Sequence, residues 1–465
     1  MQKTNYLSAV REQYENYPYP YRDPEDEKKR IVCGGLDCIA KINHYCYGGK
    51  CDFKNSFRIL VAGGGTGDAA IFLAEQLRET NAQIVYLDVS LASMEIAKQR
   101  VQIRGFDNIE FVQCSLLDLR QMELEKFDYI NCCGVLHHLK NPVEGLEALK
   151  SVLKNDGAVA IMIYGKYGRT GVYQMQELMR MINDDEPDMQ IRIENTKAVL
   201  ECLPETNWFK KAELSFFKPN KNFKDMKNAK LIYGTSKNSD VEIYDLFLHS
   251  QDKPFTVLEV YELVNNCGLN LVDFVETRAF YRPETFIKNP ALLQRIKTFP
   301  IKYQQAIAEL ITGTIKKHVF YVSNQTSTIA DPNDFDNIPL FYKPFSTSQL
   351  YDTAKDLPNG STLEIGIERE GTAKIDLGKY TKYLLKYIDG YTSLKECFEL
   401  IKKEKEFEQD KPTDREIYHD FRKIYDLFNL MDVMVLRHQS VPAFKMSYSD
   451  LQEPVTRKYN QEVLI

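Results

Sequence analysis

The chain has 465 residues, too many for one hydrophobic core, so two or three domains are expected. A net charge of −6 and an isoelectric point near 5.8 argue against a surface built for phosphate backbones, and no nucleic-acid partner is expected. No apolar run approaches the ~20 residues of a membrane span and no signal-like apolar region follows Met1, which points to a soluble, cytoplasmic protein.

Residues 1–55 read as an arm or lid, with Pro18 and Pro20 imposing extended backbone on the tyrosine-rich stretch from Tyr14 to Tyr21. Ten cysteines fit a reducing compartment better than a disulfide scaffold. Cys33, Cys38, Cys46 and Cys51 cluster in this arm with His44 among them, which raises a structural zinc. Their gaps are wider than a zinc knuckle allows, so they are read as packing thiols and no metal is expected.

From Arg58 the pattern alternates between strand and helix. Arg58 to Ala62 is a buried strand, and Gly63, Gly64, Gly65 and Gly67 form a turn where backbone can approach a ligand. Ile71, Leu73, Ala74 and Leu77 then recur at helical spacing. Gln83 to Leu87 is a second strand, and Asp88 at its carboxyl end is placed to accept hydrogen bonds from ribose hydroxyls. Ser90 opens the next helix, Ile109 to Val112 and Phe127 to Cys132 are strands, and Asn141-Pro142 starts another helix. Ala158 to Tyr164 completes five strands with four intervening helices, a parallel sheet covered on both faces.

An insertion of about 166–254 follows, largely helical. The sheet resumes with a capping box at Thr256 to Glu259, a strand from Leu269 to Val275 and a last strand from His318 to Ser323. One of the late strands is expected to be antiparallel, giving seven in all. Residues 326–345, with Pro332, Pro339 and Pro344, read as a linker. Residues 346–440 read as a small α+β domain resembling a winged-helix arrangement, and 441–465 as a flexible tail.

Four segments together resemble the Rossmann-like, seven-strand S-adenosylmethionine-dependent methyltransferases. They are Val61 to Gly67, Leu87 to Ser90, Val112 to Asp118 and Phe127 to Leu139. The resemblance implies an α/β domain over 56–325 with S-adenosyl-L-methionine as cofactor. It sets the glycine loop against the methionine part, Asp88 and Val89 beside the ribose, and Ser115 and Leu116 at the adenine. The family often has an acid where Ser115 stands, so a hydroxyl or backbone must take the adenine amino group here. Cys133 and Gly134 would face the methionyl carbons and the methyl.

A closer resemblance is to bacterial methyltransferases with a Pro-Tyr-Pro arm and extra C-terminal modules, some of which, rickettsial enzymes among them, modify protein lysines. The matching pieces are Tyr17 to Pro20, Tyr164 to Tyr173 and Tyr244 to Gln251. It makes a protein lysine the expected acceptor. A small-molecule O-, N- or C-methyltransferase and a non-catalytic sensor or scaffold are the alternatives. A nicotinamide dehydrogenase is disfavoured, because the loop reads Gly-x-Gly-x-Gly without the wider final gap.

A sulfonium is drawn to aromatic faces. Tyr17, Tyr19 and Tyr21 either supply such faces, with Tyr17 and Tyr21 the expected cofactor contacts, or pack the arm. His137 and His138, just beyond the fourth strand, are the candidate bases; the other role open to them is to cap or pack the loop. Tyr164 and Arg169 are expected to shape the acceptor pocket. His249 is a further candidate, or else the polar end of an apolar run.

Overall fold

The computed structural model describes residues 8–211, 237–342, 347–367 and 371–443. The first seven residues of the arm, the middle of the insertion, the end of the expected linker and the tail beyond 443 lie outside the described residues.

Seven strands form one sheet: β1 Arg58–Ala62, β2 Gln83–Asp88, β3 Ile109–Gln113, β4 Phe127–Cys133, β5 Leu153–Tyr164, β6 Asn270–Phe274 and β7 Lys317–Ser323. They lie in the order β3-β2-β1-β4-β5-β7-β6. The first five are mutually parallel, and β7 runs antiparallel to both β5 and β6. Chain order reverses between β1 and β4, so the crevice at their carboxyl ends is the natural ligand site of such a sheet.

Period-two alternation divides the core. Ile59, Val61, Tyr86 and Tyr129 pack on one face of the sheet, whereas Leu60, Ala62, Leu87 and Ile130 pack on the other. Only three α-helices join the five parallel strands: Asp68–Gln76, Leu91–Arg104 and Pro142–Ser151. The expected fourth, between β3 and β4, is a short 3-10 turn at Leu116–Gln121, capped by Ser115. The capping box at Thr256 forms as expected, with Glu259 returning to the Thr256 backbone.

The arm departs from its extended reading. Prolines govern only the residues near them, and helices flank them at Ser8–Asn16 and Ile39–Cys46. All eight residues of the second helix are buried, so no polar face marks its period. Its Lys41 pairs with Asp432 at 2.9 Å, both out of solvent, and joins the arm to the C-terminal region.

Three described helices of the insertion, Thr170–Ile182, Met189–Cys202 and Lys237–Phe247, share an apolar cluster of Met175, Met179, Ile193, Ile243 and Phe247. The expected linker contains a strand, β8 Asn337–Phe341, which pairs with β11 Met434–His438. Pro339 is tolerated because this two-stranded sheet is all edge. Between them lie the hairpin β9 Thr362–Ile367 and β10 Gly371–Asp376, and a helix Asp414–Leu430 that turns Ile417, Phe421, Ile424 and Phe428 inward.

Candidate active site

At the carboxyl edge of β1 the amides of Gly63 and Gly64 both donate to the Leu87 carbonyl, at 2.8 and 3.0 Å. Asp88 holds the next turn: Oδ2 accepts from the Gly65 amide at 2.8 Å and Oδ1 from the Ser90 amide at 2.9 Å. Gly63, Gly65 and Gly67 all have positive φ, the left-handed backbone that glycine adopts without strain. A Cβ on Gly64 would stand 2.1 Å from the Tyr86 ring, and one on Gly65 2.7 Å from the Tyr19 carbonyl oxygen. Gly67 then caps helix Asp68–Gln76, so loop amides and a helix N-terminus share one concavity. Burial raises the Asp88 carboxyl against the opposing pull of those amides.

The arm is pinned across this edge. Thr66 Oγ1 donates to the Pro20 carbonyl at 2.7 Å, and Arg22 pairs with Asp68 at 2.7 Å. Buried Arg100 joins Glu27 at 2.6 Å to Asp68 at 2.8 Å. Glu15 accepts the Leu91 and Ala92 amides at 3.0 and 2.9 Å, a carboxylate at the positive end of helix Leu91–Arg104. Across the crevice, Gly134 leaves β4 with φ +78, and a Cβ there would meet only Met162, at 3.6 Å. Below Cys133, Asp37 accepts from Asn131 Nδ2 at 2.6 Å, and burial pushes its carboxyl up to about 7. Cys133 itself is exposed at the end of β4, with the Asp37 carboxyl nearby opposing ionisation of its thiol.

A second polar group forms where the arm meets the insertion. Asp245, on helix Lys237–Phe247, is 5% exposed and accepts from the Tyr14 hydroxyl at 3.3 Å, with Tyr164 nearby. Burial pushes this carboxyl up to about 7, although Arg169 opposes the shift. The Tyr14 hydroxyl also lies 3.2 Å from His249 Nε2, while His249 Nδ1 accepts from the Gln251 amide at 3.0 Å. His138 stacks on His249 at 3.8 Å and donates from Nδ1 to the Gln251 carbonyl at 2.7 Å. Arg169 lies 3.6 Å over the Tyr164 ring, with Nη2 3.6 Å from Asp252.

His138, Asp245 and His249 offer ligand atoms within 4.8 Å of one another, as do His137, His138 and Asp252. In the first set His249 Nδ1 is taken by a backbone N–H, so the neutral ring carries its proton on Nε2 and presents no lone pair there. In the second set the Arg169 cation already faces Asp252. The first group is therefore a hydrogen-bonded acid, imidazole and phenol cluster, whereas in the second both His137 ring nitrogens are buried without a hydrogen-bond partner.

A family model described as a methyltransferase domain matches residues 60–159. The chain carries a seven-strand S-adenosylmethionine-dependent methyltransferase domain. Over 296 residues it is 27% identical to an uncharacterized protein of Synechococcus sp., covering 63% of this chain and 66% of that one. Over 112 residues it is 33% identical to the tRNA 5-carboxymethoxyuridine methyltransferase of Escherichia coli, 24% of this chain and 41% of that enzyme. The structure of PKMT2 from Rickettsia typhi in complex with AdoHcy shares the fold with a TM-score of 0.60 at 15% identity, over 88% of this chain and 77% of that one. The matched stretches thus span at most about two thirds of these curated relatives. Val135, Tyr86 and the Tyr19 carbonyl leave no room for a Cβ on Gly63, Gly64 or Gly65, so the loop presents bare backbone of the kind that would lie against S-adenosylmethionine.

Within this methyltransferase domain the expected donor residues gather at one edge: Gly63 to Gly67, Asp88 and Val89 on one side, Cys133 and Gly134 on the other. Ser115 Oγ accepts from the Leu117 amide at 3.2 Å and caps the turn at Leu116–Gln121, while Leu116 is buried in the core. Tyr17 stacks on Tyr244 of the insertion at 5.0 Å, and Tyr21 is 42% exposed. The Tyr19 carbonyl abuts Gly65.

His137, expected as a base, is fully buried against Tyr164 at 4.1 Å, and burial holds its ring neutral. His138 is pulled down to about 4 by burial, too weak a base to lead. Sequence reasoning missed Asp245, Tyr14 and Asp37. The signal for Asp245 was an acid on the inward side of the apolar Tyr244 to Leu248 run.

Proposed function

We propose that this chain methylates an amine, best matched by a protein lysine side chain, and that Asp245 takes the proton the amine must lose. The observation that carries the reading is a buried carboxyl that accepts from the Tyr14 hydroxyl where the arm meets the insertion, pushed by burial up to about 7. When bound, S-adenosylmethionine supplies a methyl whose S–C bond breaks as the amine lone pair forms the N–C bond. An ammonium has no such lone pair, so a proton must first leave. A carboxylate near 7 is matched to receive it at neutral pH, better than histidines held neutral by burial.

The remaining residues supply alignment, the larger part of catalysis in an in-line displacement. Gly63 to Gly67 and Asp88 would hold the donor, and Cys133 and Gly134 would border the transferred methyl. Tyr14 orients the acid. The fold shared with Rickettsia typhi PKMT2 over most of this chain supports a protein acceptor. Tritiated methyl transfer to fractionated lysate, followed by amino-acid analysis of the labelled protein, tests the reading. Methyl-lysine is the expected product; label confined to small molecules or RNA overturns it.

A further inference from the structure

Two backbone atoms of Gln251 set the proton positions on both stacked imidazoles. Its carbonyl takes a hydrogen from His138 Nδ1, and its amide gives one to His249 Nδ1. Because Nδ1 of His249 must accept, its neutral ring carries hydrogen on Nε2. That hydrogen faces the Tyr14 oxygen at 3.2 Å, leaving the Tyr14 proton directed to Asp245 at 3.3 Å. The chain of donors runs one way, from Gln251 through His249 and Tyr14 into the carboxylate.

We propose that His249 is a positioning residue for proton removal: acting through Tyr14, it fixes a hydrogen bond that favours the ionised form of Asp245. This rests on Asp245 as the proton acceptor. The stack with His138 at 3.8 Å and 16° fixes the imidazole with Nε2 toward the Tyr14 hydroxyl, the two rings tilted by 59°, and its 2% exposure excludes the water that would reverse the chain. Other groups act on the same carboxyl. Tyr164 and Arg169 favour its charge and Asp252 opposes it, while Tyr19 of the arm feels its field. None of these donates to Tyr14, so the Tyr14 orientation depends on His249.

Proton transfer balances simply. The acceptor ammonium gives one proton to the Asp245 carboxylate, which becomes the neutral acid and releases it to solvent when the product leaves. His249 neither gains nor loses a proton in this scheme. Its effect is on the affinity of Asp245 for one.

Carboxyl carbon NMR on the full chain labelled with [γ-13C]aspartate reads that affinity without a methyl acceptor, and Asp245→Asn assigns the resonance. In wild type the midpoint is expected near 7. His249→Ala and Tyr14→Phe should each raise it by about one unit, a tenfold change in proton affinity, and His249→Gln, which keeps a donor, should restore it. An unchanged midpoint in both His249→Ala and Tyr14→Phe overturns the proposal; Tyr14→Phe preserves ring packing, so it decides the matter if His249→Ala does not fold. Binding of S-adenosylhomocysteine, expected to be unchanged in every variant, serves as the fold check. Failure of the parent reading looks different: Asp245→Asn would transfer methyl to lysate protein at the wild-type rate, whatever the NMR midpoints.

Discussion

At the donor edge, the bond from the Gly65 amide to Asp88 links residues 23 positions apart, whereas at the acceptor cluster the bond from Tyr14 to Asp245 links residues 231 apart. The donor edge is made of backbone: amides, a helix start and glycines whose missing side chains are the specification. The acceptor cluster is made of side chains from the arm, the end of β5 and the insertion, none of which specifies the site alone. A donor common to many enzymes can be held by a local motif, while an acceptor peculiar to one must be met by parts brought from afar.

That contrast predicts separable failures. The largest effect is expected from Asp88→Ala, which removes a charged acceptor for two hydroxyls and frees the Gly65 and Ser90 amides. Calorimetry should show S-adenosylmethionine affinity falling roughly a hundredfold or more. Asp245→Asn should instead leave that affinity within about twofold while cutting transfer by about a hundredfold or more. If the two variants lose cofactor binding equally, the division into donor and acceptor sides is wrong.

A pH series sharpens the same line. Asp245 lies near 7 in the fold against 3.8 ordinarily, so the fold favours its neutral form. Its contribution to stability is complete below the ordinary value and is lost as pH rises from about 4 through 7. Transfer should run the opposite way, rising through pH 7 as the carboxylate forms. Comparing melting temperature against pH for wild type and Asp245→Asn should show the variant gaining on wild type across that window. Asp37 shifts in the same direction but is intact in both proteins, so it cancels. The smallest effect is expected from Ser115→Ala, a few-fold in cofactor affinity, because that hydroxyl already serves as a turn cap.

The same contrast explains what could be read from residues alone. Strand, glycine turn, helix and acid follow one another without interruption from Arg58 to Asp88, and each step has a local physical signature. The capping box at Thr256 was legible for the same reason. Helix Ile39–Cys46 was not, because its burial on every side erases the periodicity that betrays a helix. The linker reading of 326–345 missed β8 because three prolines hide a strand that tolerates one of them only as an edge. His137 and His138 drew attention as bases by residue type and place; burial holds both rings neutral, and burial has no sequence signature.

The Tyr19 carbonyl stands 2.7 Å from where a side chain on Gly65 would begin. Arm and loop therefore cannot drift independently in a lineage. Gly65→Ala should be harmful with the arm in place, displacing Tyr19 and weakening cofactor binding by about tenfold, since alanine also resists the left-handed backbone there. With the arm deleted, part of that penalty should vanish. Measured as a double-mutant cycle, the non-additivity would show that the loop's glycine answers to the segment that closes over it as well as to the donor it cradles.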